Sequence, residues 1–339
     1  MLISENQYNN IRQYWLDSSK LFMEKDSHIL SNCDLNINCQ SYYPTFLKSE
    51  SGSYYVYDHP LLLNLEGKKI FQLQEGYGLE TILSNQYLCL KRHEEEFDLK
   101  AFSLFEHSKK ISESEYLPFD KPIISSGYFI FKHNNHEHLL SSYSIATQKF
   151  VWQQNLNEIL GSSEVSIYAN LLHVIGDKLF LFAYDPNWEN YATLCLDINT
   201  GELIKRIEMG AYLYKHNDSI FTVNGQFINQ LDPENFEINS IDLSSQLKDK
   251  NLIIDGEHSF FYGDKLYFAA KSGEGTIRSV LGVLDLNNHQ LLETKELLIN
   301  PEQPATNDNR YQIEEIKAND KLVAVNTAGG TLHVFEIER

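Results

Sequence analysis

The chain has 339 residues, of which 42% are hydrophobic and 12% are aromatic, which is enough apolar material for a sizeable core and excludes an intrinsically disordered chain. Its formal net charge is −19, so the protein repels phosphate backbones and nucleic-acid binding is disfavoured. The same charge would attract a basic partner, although its simplest consequence is solubility.

The N-terminal residues 1–7 lack the basic and apolar regions of a secretory signal peptide, and no apolar run approaches the roughly 20 residues that span a bilayer. Cys89 and Cys195 stand in apolar, strand-like runs and are predicted to be buried. Cys33 and Cys39 lie too far apart for the usual zinc-ligand spacing. We therefore expect a cytoplasmic protein without a disulfide framework.

Residues 1–45 are predicted to form an N-terminal extension that is partly helical. Ser4 would cap a short amphipathic helix. The apolar side chains that would share one face of this helix are Tyr8, Ile11, Trp15 and Phe22.

Residues 46–339 repeat two patterns. One is a polar turn that enters an apolar strand, as at 176–180, 263–267 and 319–323. The other is an alternating hairpin, whose turns lie near residues 67, 108, 147, 201, 235 and 288. The hairpins recur about every 44 residues, which is the length of a four-stranded blade. The sequence thus predicts an all-β fold, a β-propeller of four-stranded blades.

The blade number follows from counting these hairpins. Six complete hairpins and a truncated copy at 331–339 predict seven blades, with six as the alternative because the copy at Asp232 is short. An unpaired edge would remain in the last blade, so we expect a strand from within 41–58 to close it. The rival architecture is a pair of β-sandwiches. Its strands would have no fixed period, so the regular spacing of the hairpins argues against it.

The hairpin 194–206 resembles the repeat of PQQ-like β-propellers in its Asp197, Thr200 and Gly201. Trp152 stands where blades of that family often place a packing tryptophan. WD40-like propellers are the other family that the repeat resembles, but this sequence lacks their Gly-His and Trp-Asp motifs. The resemblance implies a propeller fold and no activity. Quinone-dependent enzymes with this repeat carry an adjacent cysteine pair that this chain lacks, so no cofactor is expected.

An insertion at 184–191 is the first candidate for partner binding. It presents Tyr184, Trp188 and Tyr191 in one hairpin loop. Trp and Tyr are enriched in the hot spots of protein interfaces, which favours a binding role. The alternative is that Trp188 folds back onto its own blade, since isolated exposed aromatic residues are common.

Two polar runs are further candidates. Glu94, Glu95 and Glu96 form either a solvated turn or an acidic contact for a basic partner. The run 133–138 holds three histidines and a glutamate, but it joins two apolar strands and is most simply a polar hairpin tip. We therefore predict no metal site, and no catalytic residues are assigned.

Three functions remain open, because the sequence contains no catalytic motif. The first is a non-enzymatic propeller that binds a basic protein, such as an inhibitor or immunity-type protein. The second is a propeller hydrolase or lyase with a site in the central channel. The third is a structural module of a larger assembly.

Overall fold

A computed structural model of the protein describes residues 2–16, 21–25, 28–31, 36–39, 45–49, 53–83, 86–96, 99–106, 109–125, 127–134, 136–168, 171–210, 212–273, 275–297 and 309–338. The chain divides into two compact units. The smaller unit comprises residues 10–120 with 133–135, and the larger unit comprises residues 1–9, 121–132 and 136–339.

The smaller unit contains three four-stranded sheets, in which strands that follow one another in the chain pair side by side. The first sheet is β2 (Gln13–Leu16), β3 (Leu21–Lys25), β4 (His28–Ser31) and β5 (Asn36–Asn38). The second is β6 (Thr45–Lys48), β7 (Tyr54–Asp58), β8 (Leu61–Leu63) and β9 (Lys69–Gln72). The third is β10 (Tyr77–Leu83), β11 (Gln86–Arg92), β12 (Lys100–Glu106) and β13 (Lys109–Glu113).

The fourth to sixth sheets follow the same plan and lie in the larger unit, apart from the chain ends at its boundary. The fourth is β14 (Phe119–Ser125), β15 (Tyr128–His133), β16 (Leu139–Ser144) and β17 (Lys149–Asn155). The fifth is β18 (Ser166–Ile167), β19 (His173–Ile175), β20 (Lys178–Tyr184), β21 (Tyr191–Asp197) and β22 (Leu203–Ile207). The sixth is β23 (Leu213–His216), β24 (Ser219–Asn224), β25 (Phe227–Leu231) and β26 (Ile238–Asp242).

Two further sheets complete the larger unit. The seventh is β27 (Leu252–Tyr262), β28 (Lys265–Ser272), β29 (Val280–Asp285) and β30 (Gln290–Glu296). The eighth is β31 (Ile313–Ala318), β32 (Leu322–Thr327), β33 (Leu332–Ile337) and β1 (Leu2–Tyr8). The described helices are short: α1 (Leu156–Leu160), α2 (Ser244–Asp249) and a 3-10 turn (Asn309–Tyr311). Among the described residues, no helix combines the length and apolarity needed to cross a membrane.

Strands of one sheet differ in burial, and this difference explains why some strands are continuous apolar runs in the sequence and others are not. In the fifth sheet, β20 and β21 are buried on both faces, so they appear in the sequence as nearly continuous apolar runs. The fourth strand in pairing order, β22, is exposed along most of its length, with the apolar Leu203 and Ile204 as well as Lys205 and Arg206 facing solvent. The core therefore lies in the second and third strands of the sheet, and the fourth strand faces solvent.

The predicted turns fall where the blade plan requires them. The polar turns at 176–177, 263–264 and 319–321 each enter the second strand of a sheet. The hairpins near residues 67, 147, 201, 235 and 288 each join a third strand to a fourth. The turn predicted near residue 108 lies at residues 107–108, outside the described part of the chain. Four-stranded blades repeated along an all-β chain are thus confirmed.

The described strands form eight sheets, one more than the seven blades expected from the sequence. The additional sheet is the first one, β2 to β5, which lies within residues 1–45. β4 and β5 pair antiparallel, and residues 32–35 between them lie outside the described part. This segment carries neither repeated pattern in clear form, so counting hairpins missed it.

The helix predicted near the N-terminus is wrong. Tyr8 ends β1, Trp15 lies in β2 and Phe22 lies in β3. Asn10 has a φ of 61°, which ends the first strand and is incompatible with a continuing α-helix. Paired strands bury the aromatic residues that a helical face was expected to bury, as Phe22 shows at 1% exposure.

An N-terminal strand completes the last sheet, but it is β1 and not a strand from 41–58. Residues 4–8 pair antiparallel with 332–336 of β33. The strands β6 and β7, which occupy most of the expected segment, pair with each other in the second sheet. The predicted position was therefore wrong, because an additional sheet separates the completing strand from the start of the recognisable repeats.

Glu5 of β1 is held by the buried His333 of β33, since the His333 Nδ1 and Glu5 Oε1 atoms lie 2.8 Å apart. The Gln7 side chain donates a second hydrogen bond to Glu5, and Lys295 Nζ lies 3.7 Å away. Burial alone would raise the pKa of Glu5, but these hydrogen bonds and charges together hold that pKa below its usual value.

We expect Glu5→Gln to lower the free energy of unfolding by about 1 kcal/mol at neutral pH. A carboxyl group whose pKa is lowered on folding contributes stability above its unfolded-state pKa, and this stability is lost as the pH falls through the folded-state pKa. The difference between variant and wild type should therefore shrink below a pH of about 4.5. Urea unfolding at several pH values measures it. Glu336→Gln, which removes an exposed carboxylate from the same sheet, is the control and should show no such trend.

The predicted burial of two cysteines is confirmed. Cys89 and Cys195 are both fully buried, and both are free thiols. Burial raises the pKa of each thiol to about 12, so neither is a nucleophile near neutral pH. Cys33 lies outside the described residues.

Candidate functional site

The loop between β20 and β21 is held in one conformation by Asp185. This buried carboxylate accepts hydrogen bonds from the backbone N–H groups of Glu189 and Asn190, at 2.9 and 3.1 Å, and from the Asn190 side chain at 2.9 Å. The backbone of Asp185 and Asn190 is bonded as well, at 2.9 Å. Trp188 thereby adopts a φ of 59°, which a free loop would rarely hold. The loop presents its tryptophan without first having to be ordered.

Trp188 lies at the end of a group of stacked aromatic rings. Its indole stacks on Tyr184 with 4.6 Å between ring centroids and 18° between planes, and Tyr184 in turn stacks on Tyr168 at 5.1 Å. Trp188 and Tyr191 remain 48% and 42% exposed. We call the whole group the aromatic shelf; its members are Tyr168, Phe182, Tyr184, Trp188, Tyr191 and Tyr212.

Both hypotheses made for Trp188 describe part of its geometry. One face of the ring folds back onto Tyr184 of its own sheet, and the side chain nevertheless stays half exposed. A ring supported in this way offers apolar area to a partner at a low cost in conformational entropy. Three of the predicted binding residues, Tyr184, Trp188 and Tyr191, are thus brought together.

The aromatic shelf continues into a polar network on β27. Tyr212, whose ring lies 5.6 Å from that of Tyr168 at an interplanar angle of 35°, donates a hydrogen bond of 3.2 Å to Glu257. Burial, and in second place the Glu257 carboxylate, raises the pKa of Tyr212, so it stays a hydrogen-bond donor. Glu257 lies in a bulge of β27 between Asp255 and Ser259, where the pairing with β28 shifts register.

Gly256 makes this bulge possible. A Cβ atom built on it would lie 2.2 Å from the backbone oxygen of Val223, so only glycine fits. The Tyr214 hydroxyl donates to the carbonyl oxygen of Gly256 at 2.6 Å. The bulge is thereby pressed against the sixth sheet, and it turns the flanking side chains away from the regular alternation of a strand.

Asp255, Glu257 and His258 offer ligand atoms within 4.8 Å of one another, the one such group found among the described residues. Asp255 is already paired, with His258 Nδ1 at 3.2 Å and with Arg278 at 3.5 Å. Burial alone would raise the pKa of Asp255, but the hydrogen bonds from His258 and Glu257 and the charge of Arg278 hold it below its usual value. Because a guanidinium already compensates this carboxylate, these residues form an ion-pair network and do not require a metal.

The remaining predicted residues lie elsewhere. Glu94, Glu95 and Glu96 are exposed and belong to the smaller unit, where the backbone N–H of Glu96 donates to His93 at 3.1 Å. The role of these glutamates in partner binding stays a prediction.

In the run 133–138, the rings of His136 and His138 meet edge to face at 5.8 Å. Glu137 accepts a hydrogen bond from Ser166 at 2.6 Å. These contacts are those of a packed hairpin tip.

The sequence missed Tyr168, Tyr212 and the network around Asp255. Tyr168 and Tyr212 stand in irregular segments before β19 and β23, and no motif marks them. The network did leave a signal, because Asp255, Gly256 and Glu257 interrupt an apolar strand. A glycine inside such a strand is typical of a bulge.

The described sheets are meanders of four strands, apart from the fifth, in which β18 and β19 both pair with β20, and the last is completed by the N-terminal strand. This plan defines the protein as a β-propeller. No protein-family model matches the sequence, and no curated protein matches it. Solved structures, in contrast, do match the chain.

Three natural proteins illustrate this structural similarity. BamB from Moraxella catarrhalis has a TM-score of 0.57 at 10% identity, over 100% of this chain and 98% of that one. Sqt1 from Saccharomyces cerevisiae has a TM-score of 0.59 at 9% identity, over 100% of this chain and 99% of that one. The β-propeller domain of Cps50 (Swd1) from Myceliophteria thermophila has a TM-score of 0.50 at 10% identity, over 99% and 100%. At these identities the similarity concerns the fold alone.

Proposed function

We propose that this protein is a non-enzymatic binding propeller that holds a basic segment of a partner protein on the aromatic shelf. The observation that carries the proposal is Trp188, which stays half exposed while it is supported by Tyr184 and fixed by the Asp185 loop. Pre-ordered aromatic side chains are what interfaces use as anchors. A site that needs no ordering on binding is suited to recognition.

The charge of the protein supports a basic partner. A net charge of −19 accelerates the encounter with a cationic protein and slows the encounter with an anionic one. Glu257, which accepts from Tyr212 of the shelf, places one carboxylate directly at the site. In its most specific form, the proposal describes a cytoplasmic inhibitor or immunity-type protein that neutralises a basic partner.

We also propose that the blade repeat is of the PQQ-like type, used here as a structural element and without a quinone. Trp152 supports this assignment, since its indole N–H donates to the carbonyl of Ile198 at 2.8 Å and its ring packs against Gly201. The tryptophan thereby ties the fourth sheet to the hairpin of the fifth sheet, which is the packing role that the resemblance implies.

A random peptide display library selected on the protein at low ionic strength tests the binding function. We expect the enriched peptides to be cationic and to bind more weakly at physiological ionic strength, because steering between exposed charges is screened by salt. Isothermal titration with one enriched synthetic peptide should show that Trp188→Ala weakens binding by at least about tenfold, the scale of an interface hot spot.

Phe150→Ala is the matched control, because Phe150 is 43% exposed on β17 and is not a member of the aromatic shelf. This variant should bind the peptide as the wild type does. Enrichment of peptides without positive charge, or equal affinity in Trp188→Ala, would contradict the proposal.

A structural module is the second candidate, and exposed apolar side chains on fourth strands favour it. Each of six fourth strands carries at least one, and the set is Ile70, Ile111, Phe150, Val151, Leu203, Ile204, Ile238 and Leu292. They are spread over separate strands, whereas interaction patches are usually contiguous. Light scattering at rising protein concentration tests the idea: self-assembly that Ile204→Lys abolishes would favour it over the binding propeller.

A further inference from the structure

A cavity of about 340 Å³ opens beside the exposed end of the aromatic shelf; we call it the shelf pocket. Its apolar lining residues include Trp188, Tyr191 and the buried Met209. Its polar lining residues include Glu208 and Asn229. A mainly apolar lining with a few polar groups is the usual form of a small binding pocket.

Gly210 leaves room for this pocket. A Cβ atom at that position would lie 3.1 Å from the ring of Tyr191 and 3.4 Å from that of Phe182. The Tyr191 ring therefore lies directly against the backbone at Gly210. A larger residue would require the Tyr191 ring to move by a few tenths of an ångström.

Glu208 is the charged group of the pocket, and its side chain is 77% exposed. Arg206 brings its Nε atom to within 3.4 Å of Glu208 Oε1, so this carboxylate already lies next to one guanidinium of the same chain. Asn229 is less available, because its amide bonds to Thr222 and Ser240 within its own sheet.

We propose that the shelf pocket binds the guanidinium group of an arginine side chain of the partner protein. The inference rests on the proposed function, and it names the group by which the basic partner is recognised. A planar guanidinium stacks on aromatic faces, which Trp188 and Tyr191 supply, while its fork of N–H donors matches a carboxylate, which Glu208 supplies.

Arginine fits these groups better than lysine does. A lysine ammonium also makes cation–π contacts, but it is a strongly hydrated point charge that cannot lay a planar group on a ring or bind a carboxylate in two places. The exposure of Glu208 means that the ion pair alone contributes little, so most of the discrimination comes from stacking on the rings. The pocket should therefore distinguish two side chains of equal charge.

Three short blocked peptides test this proposal: Gly-Arg-Gly, Gly-Lys-Gly and Gly-citrulline-Gly. The readout is the NMR signal of the Trp188 indole N–H, assigned by its loss in Trp188→Phe. We expect the arginine peptide to shift this signal and to bind at least about threefold more tightly than the lysine peptide, the scale of one cation–π contact. Citrulline keeps the planar shape without the charge and should bind more weakly than arginine.

Glu208→Gln should weaken binding of the arginine peptide by about threefold, as expected for an exposed ion pair. Glu202→Gln is the matched control, since it removes the same charge from an exposed position at the other end of β22 and should have no effect. Arg206→Ala should bind more tightly, because it removes the guanidinium that competes for Glu208.

The outcomes separate this inference from the proposed function. If the selected cationic peptides bind through Trp188 but arginine and lysine peptides shift its signal equally, the arginine pocket is wrong and the binding propeller stands. If no cationic peptide of any kind binds through Trp188, the proposed function fails and the pocket with it. Equal effects of the Glu208 and Glu202 variants would also overturn the pocket.

Discussion

Gly201→Ala is expected to destabilise the protein by about 2–5 kcal/mol. Gly201 has a φ of 74°, in the left-handed region where an L-residue costs about 1–2 kcal/mol. A Cβ atom there would also lie 2.6 Å from the ring of Trp152. The indole cannot easily withdraw, because its N–H is bonded to the carbonyl of Ile198. Overpacking of this kind costs roughly a further 1–3 kcal/mol.

Gly176→Ala separates the two contributions. Gly176 has a φ of 60° in the same sheet, but nothing lies within 4 Å of a Cβ atom built on it. In this control, the free energy of unfolding should fall only by the cost of the left-handed backbone conformation, about 1–2 kcal/mol. Urea unfolding followed by far-UV circular dichroism measures both variants. Equal losses in the two would show that the Trp152 contact contributes nothing.

Deletion of residues 2–8 is expected to lower the midpoint of thermal unfolding by about 10 °C or more. The deletion removes β1, which supplies the fourth strand of the eighth sheet. It exposes the hydrogen-bonding edge of β33, a template for aggregation, and it leaves the buried His333 without Glu5. The shortened protein should therefore also aggregate at concentrations at which the full chain does not.

A synthetic peptide of residues 1–9 provides the control, because it can pair with the free edge of β33 from outside. Added to the shortened protein, this peptide should restore most of the thermal midpoint, and a peptide of scrambled sequence should not. Calorimetry measures both. An unchanged midpoint after the deletion would show that β1 is dispensable for the eighth sheet.

Local sequence patterns were sufficient to predict the strand-and-turn plan of the recognisable repeats. The turns near residues 67, 147, 201, 235 and 288 could be predicted because hairpin chemistry is local: Gly67 and Gly201 supply positive φ angles within a few residues of the strands they join. The burial of Cys89 and Cys195 followed from equally local patterns. The aromatic insertion was recognised because it interrupts the repeat.

The pairing of segments that are distant in the chain could not be predicted from local patterns. The first sheet was missed because the aromatic residues of the N-terminal segment fit either a helical face or a set of short strands, and pairing decides between these. The pairing partner of β1 is more than 300 residues away in the chain, as the contact between Glu5 and His333 shows.

The aromatic shelf and the shelf pocket also depend on contacts between segments that are distant in the chain. Tyr168 and Tyr212 join Trp188 through ring contacts between segments that no local pattern connects, and Glu208 meets Tyr191 in a pocket that exists only after the sheets have packed. Turn preferences act over a few residues and are visible in a sequence. Side-chain packing depends on which strands become neighbours, and it is therefore fixed only when the whole fold has formed.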